Sequence, residues 1–116
     1  MKIVVSCQGG GADGRVSEHF GRCPEFVVVV IEGKNVRKLE AVKNPYYENH
    51  VPGAVPKFIS SLNADVLITG GIGPHALELF EEFGVKVVTG ASGKIKEAVE
   101  SFLRGELPSL ENQCEH

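Results

Sequence analysis

The stretch Ala64–Gly90, "ADVLITGGIGPHALELFEEFGVKVVTG", decides the fold class of this chain. Asp65–Thr69 (DVLIT), with the apolar centre Val66-Leu67-Ile68, reads as a short buried strand. Gly70-Gly71-Ile72-Gly73 breaks that run, and Pro74 then occupies a favoured first helical position. Ala76, Leu77, Phe80 and Phe83 recur at helical spacing and predict one apolar face, ended by Gly84. Val85–Thr89 reads as another short strand. A strand, a helix and a strand in that order predict two parallel strands joined by a crossover helix.

Outward from this unit the pattern continues. Lys2–Ser6 reads as a buried strand ending at Cys7, followed by "CQGGGADGR", a glycine-rich loop. Phe26–Ile31 (FVVVVI) is the strongest strand, continuously apolar and so covered on both faces. Glu32–Asn35 is a turn, and Val36–Val42 is the more polar returning arm of a hairpin, as suits an edge. Asn44–Gly53 is irregular. Ala54, Val55, Phe58, Ile59 and Leu62 then predict a helix, with Pro56 tolerated in its first turn. A last helix is predicted over Gly93–Arg104, stopped by Gly105.

The fold class is therefore α/β: a mixed five-stranded sheet with three helices, in the order β-β-β-α-β-α-β-α. One domain spans residues 1–107, and residues 108–116 are expected to form a mobile tail. Loops at the carboxyl ends of the parallel strands become neighbours, the edge where such sheets bind ligands. Those loops follow Cys7, span Gly70–Pro74 and span Gly90–Gly93.

Bulk properties exclude several classes. The chain has 116 residues, 42% hydrophobic and 23% charged, with a net charge of −3. It has no basic block to grip a phosphate backbone, so nucleic acid is not an expected partner. It has no apolar run long enough for a membrane span and no signal-peptide pattern, so a cytoplasmic protein is expected. Cys7, Cys23 and Cys114 form no C-x-x-C pair and read as thiols.

The segment "SEHFGRCPEF" (Ser17–Phe26) concentrates chemistry. Arg22 beside Cys23 favours a thiolate, which is both a nucleophile and a soft-metal ligand. His19 lies close by, and Phe20 and Phe26 read as core anchors for the loop. Thr69–Ala76 offers unpaired N–H groups at a helix start, a ready anion site. It resembles a dinucleotide fingerprint but has no acid at the expected spacing near Ala91. His50 and His75 fall in loops expected to approach the same region, and no pair has structural-zinc spacing. The strand ends Ser6-Cys7 and Thr69-Gly70 carry no carboxylate for a two-metal nuclease.

"VSEHFGRCPEF", the Asn44–His50 segment, Ala64–Gly90 and "KEAVESFLRGEL" together resemble the dinitrogenase iron–molybdenum cofactor biosynthesis family, from Met1 to about Leu107. The resemblance implies a ribonuclease H-like sheet without nuclease carboxylates. It also implies a non-enzymatic carrier or chaperone for an iron–sulfur or molybdenum–iron–sulfur cluster, with cluster-assembly or recipient proteins as partners. Carried onto this sequence, the binding region is the Ser17–Cys23 loop with His19, Gly21, Arg22 and Cys23, the segment Asn44–His50, and the segment Gly70–His75 with Gly70, Gly71, Gly73 and His75. No role passes to Cys114 or His116.

Sulfide-rich clusters are commonly anionic. Arg15, Arg22 and the N–H groups near Gly71–His75 form an expected cradle, with Cys7, Cys23 and His19 as the candidate metal ligands. Three alternatives stand beside this reading. One is an anion- or nucleotide-binding module built on Gly70–Ala76. Another is a hydrolase or transferase using Cys23 and His19. The last is an interaction protein that docks through its Cys114-bearing tail.

Overall fold

The computed structural model describes residues 1–20, 22–48, 51 and 53–106. Strand β1 is Lys2–Cys7, β2 Glu25–Glu32 and β3 Asn35–Lys43, with a single 3-10 turn at Gly11–Asp13 between β1 and β2. Helix α1 (Ala54–Ser61), strand β4 (Val66–Ile68), helix α2 (Pro74–Phe83), strand β5 (Lys86–Val88) and helix α3 (Ile95–Leu103) complete the chain. This is the expected element order. The last helix starts two residues later than Gly93 because Gly93 is left-handed, at φ 79°, and Lys94 caps the helix with extended backbone.

The five strands lie in the order β3-β2-β1-β4-β5. β2 is antiparallel to both β1 and β3, whereas β1, β4 and β5 run parallel. The hairpin therefore builds outward from β1 on one side, and the strand–helix units build outward on the other. β3 takes the exposed edge. Its polar sequence suits that place, and a bulge where Val30 pairs Lys38 but Ile31 pairs Val36 further blunts it.

Alternation along the strands divides the core in two. Ile3, Val5 and Cys7 of β1 join Val27, Val29 and Ile31 of β2 and the α3 residues Ile95, Ala98 and Val99. Val4 faces the other way, with Phe26, Val28, Leu67, Val87, Ile59 of α1 and Phe80 of α2. A continuously apolar strand has both faces covered, as FVVVVI required. Helix α2 departs from expectation at one position: Phe80 is buried, but Phe83 is 41% exposed. Helical spacing placed both on one apolar face, and the domain covers only part of it.

Candidate functional site

The loops after β1 and β4 meet at the carboxyl edge of the sheet. After Cys7 the chain makes the glycine loop and returns alongside β1, where Val16 pairs with Cys7 and the Ser17 N–H donates to the Ser6 carbonyl at 2.8 Å. Beneath the crossing, the Ser6 hydroxyl donates to Thr69 Oγ1 at 2.8 Å, and Thr69 Oγ1 in turn reaches the Gly71 carbonyl at 3.3 Å. Ser6 and Thr69 are both fully buried. A buried hydroxyl pair thus ties the end of β1 to the residue after β4.

The Ser17–Phe20 segment is fastened to the Gly70–Gly71 turn by backbone bonds. Gly70 N–H donates to the Ser17 carbonyl at 3.0 Å, and Phe20 N–H donates to the Gly71 carbonyl at 2.9 Å. Such closeness requires glycine at both positions. A Cβ on Gly70 would stand 2.8 Å from Glu18 Cα, and one on Gly71 would stand 3.0 Å from the Glu18 carbonyl oxygen. Neither glycine has a positive φ, so close approach rather than backbone freedom explains them. The Ser17 hydroxyl closes the turn locally, donating to the His19 carbonyl at 3.1 Å and accepting the His19 N–H at 3.3 Å. Phe20 anchors the segment in the core. Its ring meets Phe80 edge-on at 5.2 Å and Phe26 at 6.1 Å.

Between these loops lies an open cavity of about 490 Å³, lined by Glu18, His19, Phe20, Arg22, Gly71, Ile72 and Gly73. His19 and Arg22 are exposed to it. The Gly70 N–H is committed to Ser17, but among the described residues the N–H groups of Gly71, Ile72 and Gly73 meet no acceptor. They immediately precede the α2 N-terminus, where Gly73 supplies no side-chain cap and Pro74 occupies the first turn. The Arg22 guanidinium, spare amide donors and the positive end of a helix dipole suit an anion. Glu18 on the same wall opposes it.

Other expected site residues go elsewhere. Cys23 is 1% exposed and belongs to the core cluster beneath α1 and α2, while its neighbour Arg22 lines the cavity. The Cys23 side chain expected to share the loop site with Arg22 is instead buried: these adjacent residues go to opposite environments. Cys7 is fully buried in the other cluster, under α3. The sheet separates the two thiols, and Cys7, Cys23 and His19 form no common ligand set. Among the described residues, no three His, Cys, Asp or Glu side chains converge to hold a metal ion.

The Cys7 sulfur accepts the Gly9 N–H at 3.4 Å and faces the carbonyl oxygens of Gly9 and Gly11 and Glu25 Oε1 at 3.5–3.6 Å. Burial, reinforced by the nearby Glu25 carboxylate, pushes its pKa above the ordinary 9.0 against an opposing contribution from Gly9. These surroundings favour the protonated form of the Cys7 thiol.

Asn44 is buried and structural. Its side-chain amide donates to the Cys23 carbonyl at 2.9 Å and its oxygen accepts the Tyr46 N–H at 2.9 Å. Arg15 is exposed and pairs with Lys94 through the backbone; it is not among the described cavity residues. His75 opens onto a different cleft, between α1 and α2. Gly21, His50, Cys114 and His116 lie outside the described residues. Glu18 and Ile72 also line the cavity; both fall inside the expected Ser17–Cys23 and Gly70–His75 segments, although neither side chain was singled out.

Comparison with known proteins places this geometry in a family. The chain is 31% identical over 113 residues to an uncharacterized protein of Methanocaldococcus jannaschii, MJ0580, covering 96% of this chain and 92% of that one. The crystal structure of PH0822 superposes with a TM-score of 0.84 at 37% identity, covering 94% of this chain and 96% of that one. The apo form of the orange protein from Desulfovibrio gigas superposes with a TM-score of 0.81 at 33% identity, over 93% and 91% of the two chains. The family model described as dinitrogenase iron-molybdenum cofactor matches residues 1–105. The chain belongs to the dinitrogenase iron–molybdenum cofactor family.

Proposed function

We propose that the protein is a non-enzymatic carrier that holds an anionic metal–sulfur cluster, of iron–sulfur or molybdenum–iron–sulfur type, in the cavity between Glu18–Arg22 and Gly71–Gly73, and delivers it to an assembly or recipient protein. One observation carries this reading. The cavity offers Arg22, His19 and spare backbone donors, while both described thiols are buried away from it. Each charge-assisted hydrogen bond to an anion is worth about 1.5–3 kcal/mol, and several of them retain a cargo without a covalent bond to break on release. Membership of the family supports a cofactor-related cargo. The sheet order supports reading the fold as ribonuclease H-like.

The hydrolase alternative loses support from the burial of Cys23 beside an exposed His19. Among the described residues no helix is long and apolar enough to cross a membrane. A cytoplasmic location remains part of the proposal.

The test is anaerobic reconstitution with iron and sulfide, with and without molybdate, read by visible absorption and elemental analysis. Stoichiometric metal with a charge-transfer band is expected. Arg22→Ala should release the cargo at least about tenfold more readily without moving the melting temperature. Retention equal to the parent in Arg22→Ala and His19→Ala would remove the cavity from the proposal. Absence of metal uptake, together with stabilisation by inorganic phosphate, would favour the simple anion module at Gly71–Gly73.

A further inference from the structure

The α1–α2 side of the molecule leaves apolar surface uncovered. Among the described residues the large exposed hydrophobics are Met1, Val36, Tyr47, Val51 and Phe83. Val51 and Phe83, 45% and 41% exposed, line a single cleft, and Tyr47 adjoins Tyr46, which lines it too. The cleft measures about 630 Å³, within the range of about 300–1,000 Å³ typical of small-molecule sites. Two exposed hydrophobics, Val51 and Phe83, opening onto one concavity make it a candidate interaction site.

The walls are aromatic and firmly held. Tyr46, Phe58 of α1, and Leu79 and Phe83 of α2 line the cleft. Phe58 leans on the core through Phe26, at a ring separation of 6.2 Å. Tyr46 is positioned by its N–H bond to Asn44 Oδ1. The ionisable nitrogen groups at the cleft are Lys57 and His75, and no carboxylate is among its described lining residues. Lys57 makes no ion pair or side-chain hydrogen bond among the described residues. A free ammonium over an apolar, ring-lined floor is complementary to a molecule with an apolar body and a negative head.

We infer that this cleft is a second binding site, separate from the cargo cavity, for a small amphipathic anion: an aromatic or aliphatic body bearing a carboxylate or sulfonate. The body lies against Phe58, Leu79 and Phe83, and the head group meets Lys57 with His75 beside it. Charge distinguishes the two concavities. Glu18 stands on the wall of the first, whereas the second carries positive and neutral side chains.

The full chain is titrated with 8-anilinonaphthalene-1-sulfonate and, in parallel, with N-phenyl-1-naphthylamine, which has the same aromatic body without the sulfonate. Fluorescence should saturate at one dye per chain, with the sulfonate bound about tenfold more tightly than the neutral dye. Lys57→Glu should erase that preference while sparing the neutral dye. Phe83→Asp should abolish binding of both, and Arg22→Ala should change neither. Lys57 and Phe83 are exposed, so both variants should fold, and thermal melting verifies this. Equal affinity of the parent for the two dyes, absence of saturation, or titrations unchanged in both cleft variants would overturn the inference. None of these outcomes bears on cluster retention, which is read separately.

Discussion

Two glycine-rich stretches emerge from the same edge of the sheet, one after β1 and one after β4. Gly9, Gly10 and Gly11 have φ of 126°, 89° and 62°, conformations that side chains rarely adopt, and the loop they form closes over the Cys7 sulfur. Gly70 and Gly71 have no such conformation. They are glycine because the Ser17–Glu18 backbone crosses directly over them, and the crossing holds the rim of a cavity open. Identical residue types therefore serve opposite ends: the first loop seals a thiol from solvent and the second lines an open cavity. Glycine in a loop following a strand has at least these two separable causes.

Substitution distinguishes them. The largest effect is expected at Gly14, whose backbone is extended but whose added Cβ would collide with the Gly9 carbonyl oxygen and press on Cys7 Sγ at 3.0 Å. Gly14→Ala should cost about 3 kcal/mol of stability by overpacking, measured by denaturant unfolding. Gly70→Ala follows, at about 2 kcal/mol. Its added Cβ meets backbone of Glu18, so the Ser17–Phe20 segment must shift and cargo retention should fall with stability. If Gly70→Ala retained cluster like the parent, the crossing would not be what shapes the cavity.

A smaller effect comes from Cys7. Its proton is held more tightly in the folded than in the unfolded chain, so the associated stabilisation is complete below pH 9.0 and is lost as pH rises through the raised native value. The parent should therefore lose more stability than Cys7→Ala between neutral pH and pH above 9.0, with the difference read from paired melts. Equal slopes would show that the sealed loop does not disfavour the thiolate. The least effect is expected at Gly73, where φ is −77° and an added Cβ meets nothing within 4 Å. Gly73→Ala should stay within about 0.5 kcal/mol of the parent, which makes it the control for both glycine stretches.

Much of this was legible in the residue pattern. Short apolar runs located four strands, the turn at Glu32–Asn35 located the more polar fifth, and helical spacing located every helix, because those signals depend on near neighbours. The meeting of "SEHFGR" with "TGGIG" was also legible, since the carboxyl ends of parallel strands must lie together. The fate of individual side chains was not. Arg22 and Cys23 are adjacent in sequence, yet one lines the cavity and the other is buried. Phe80 and Phe83 share a helical face, yet only one finds a cover.

What the sequence by itself determined, then, is the order of elements, the mixed sheet and the edge at which ligand chemistry gathers. Only the tertiary structure decided that Cys7 and Cys23 lie on opposite sides of the sheet, that His75 turns to a different cleft from His19, and that Gly70 exists to let another chain segment pass. Periodicity and turn chemistry are local and repeat along the chain. Which distant backbone crosses a given glycine, and which face of a strand a thiol takes, depends on register and packing among segments far apart in sequence.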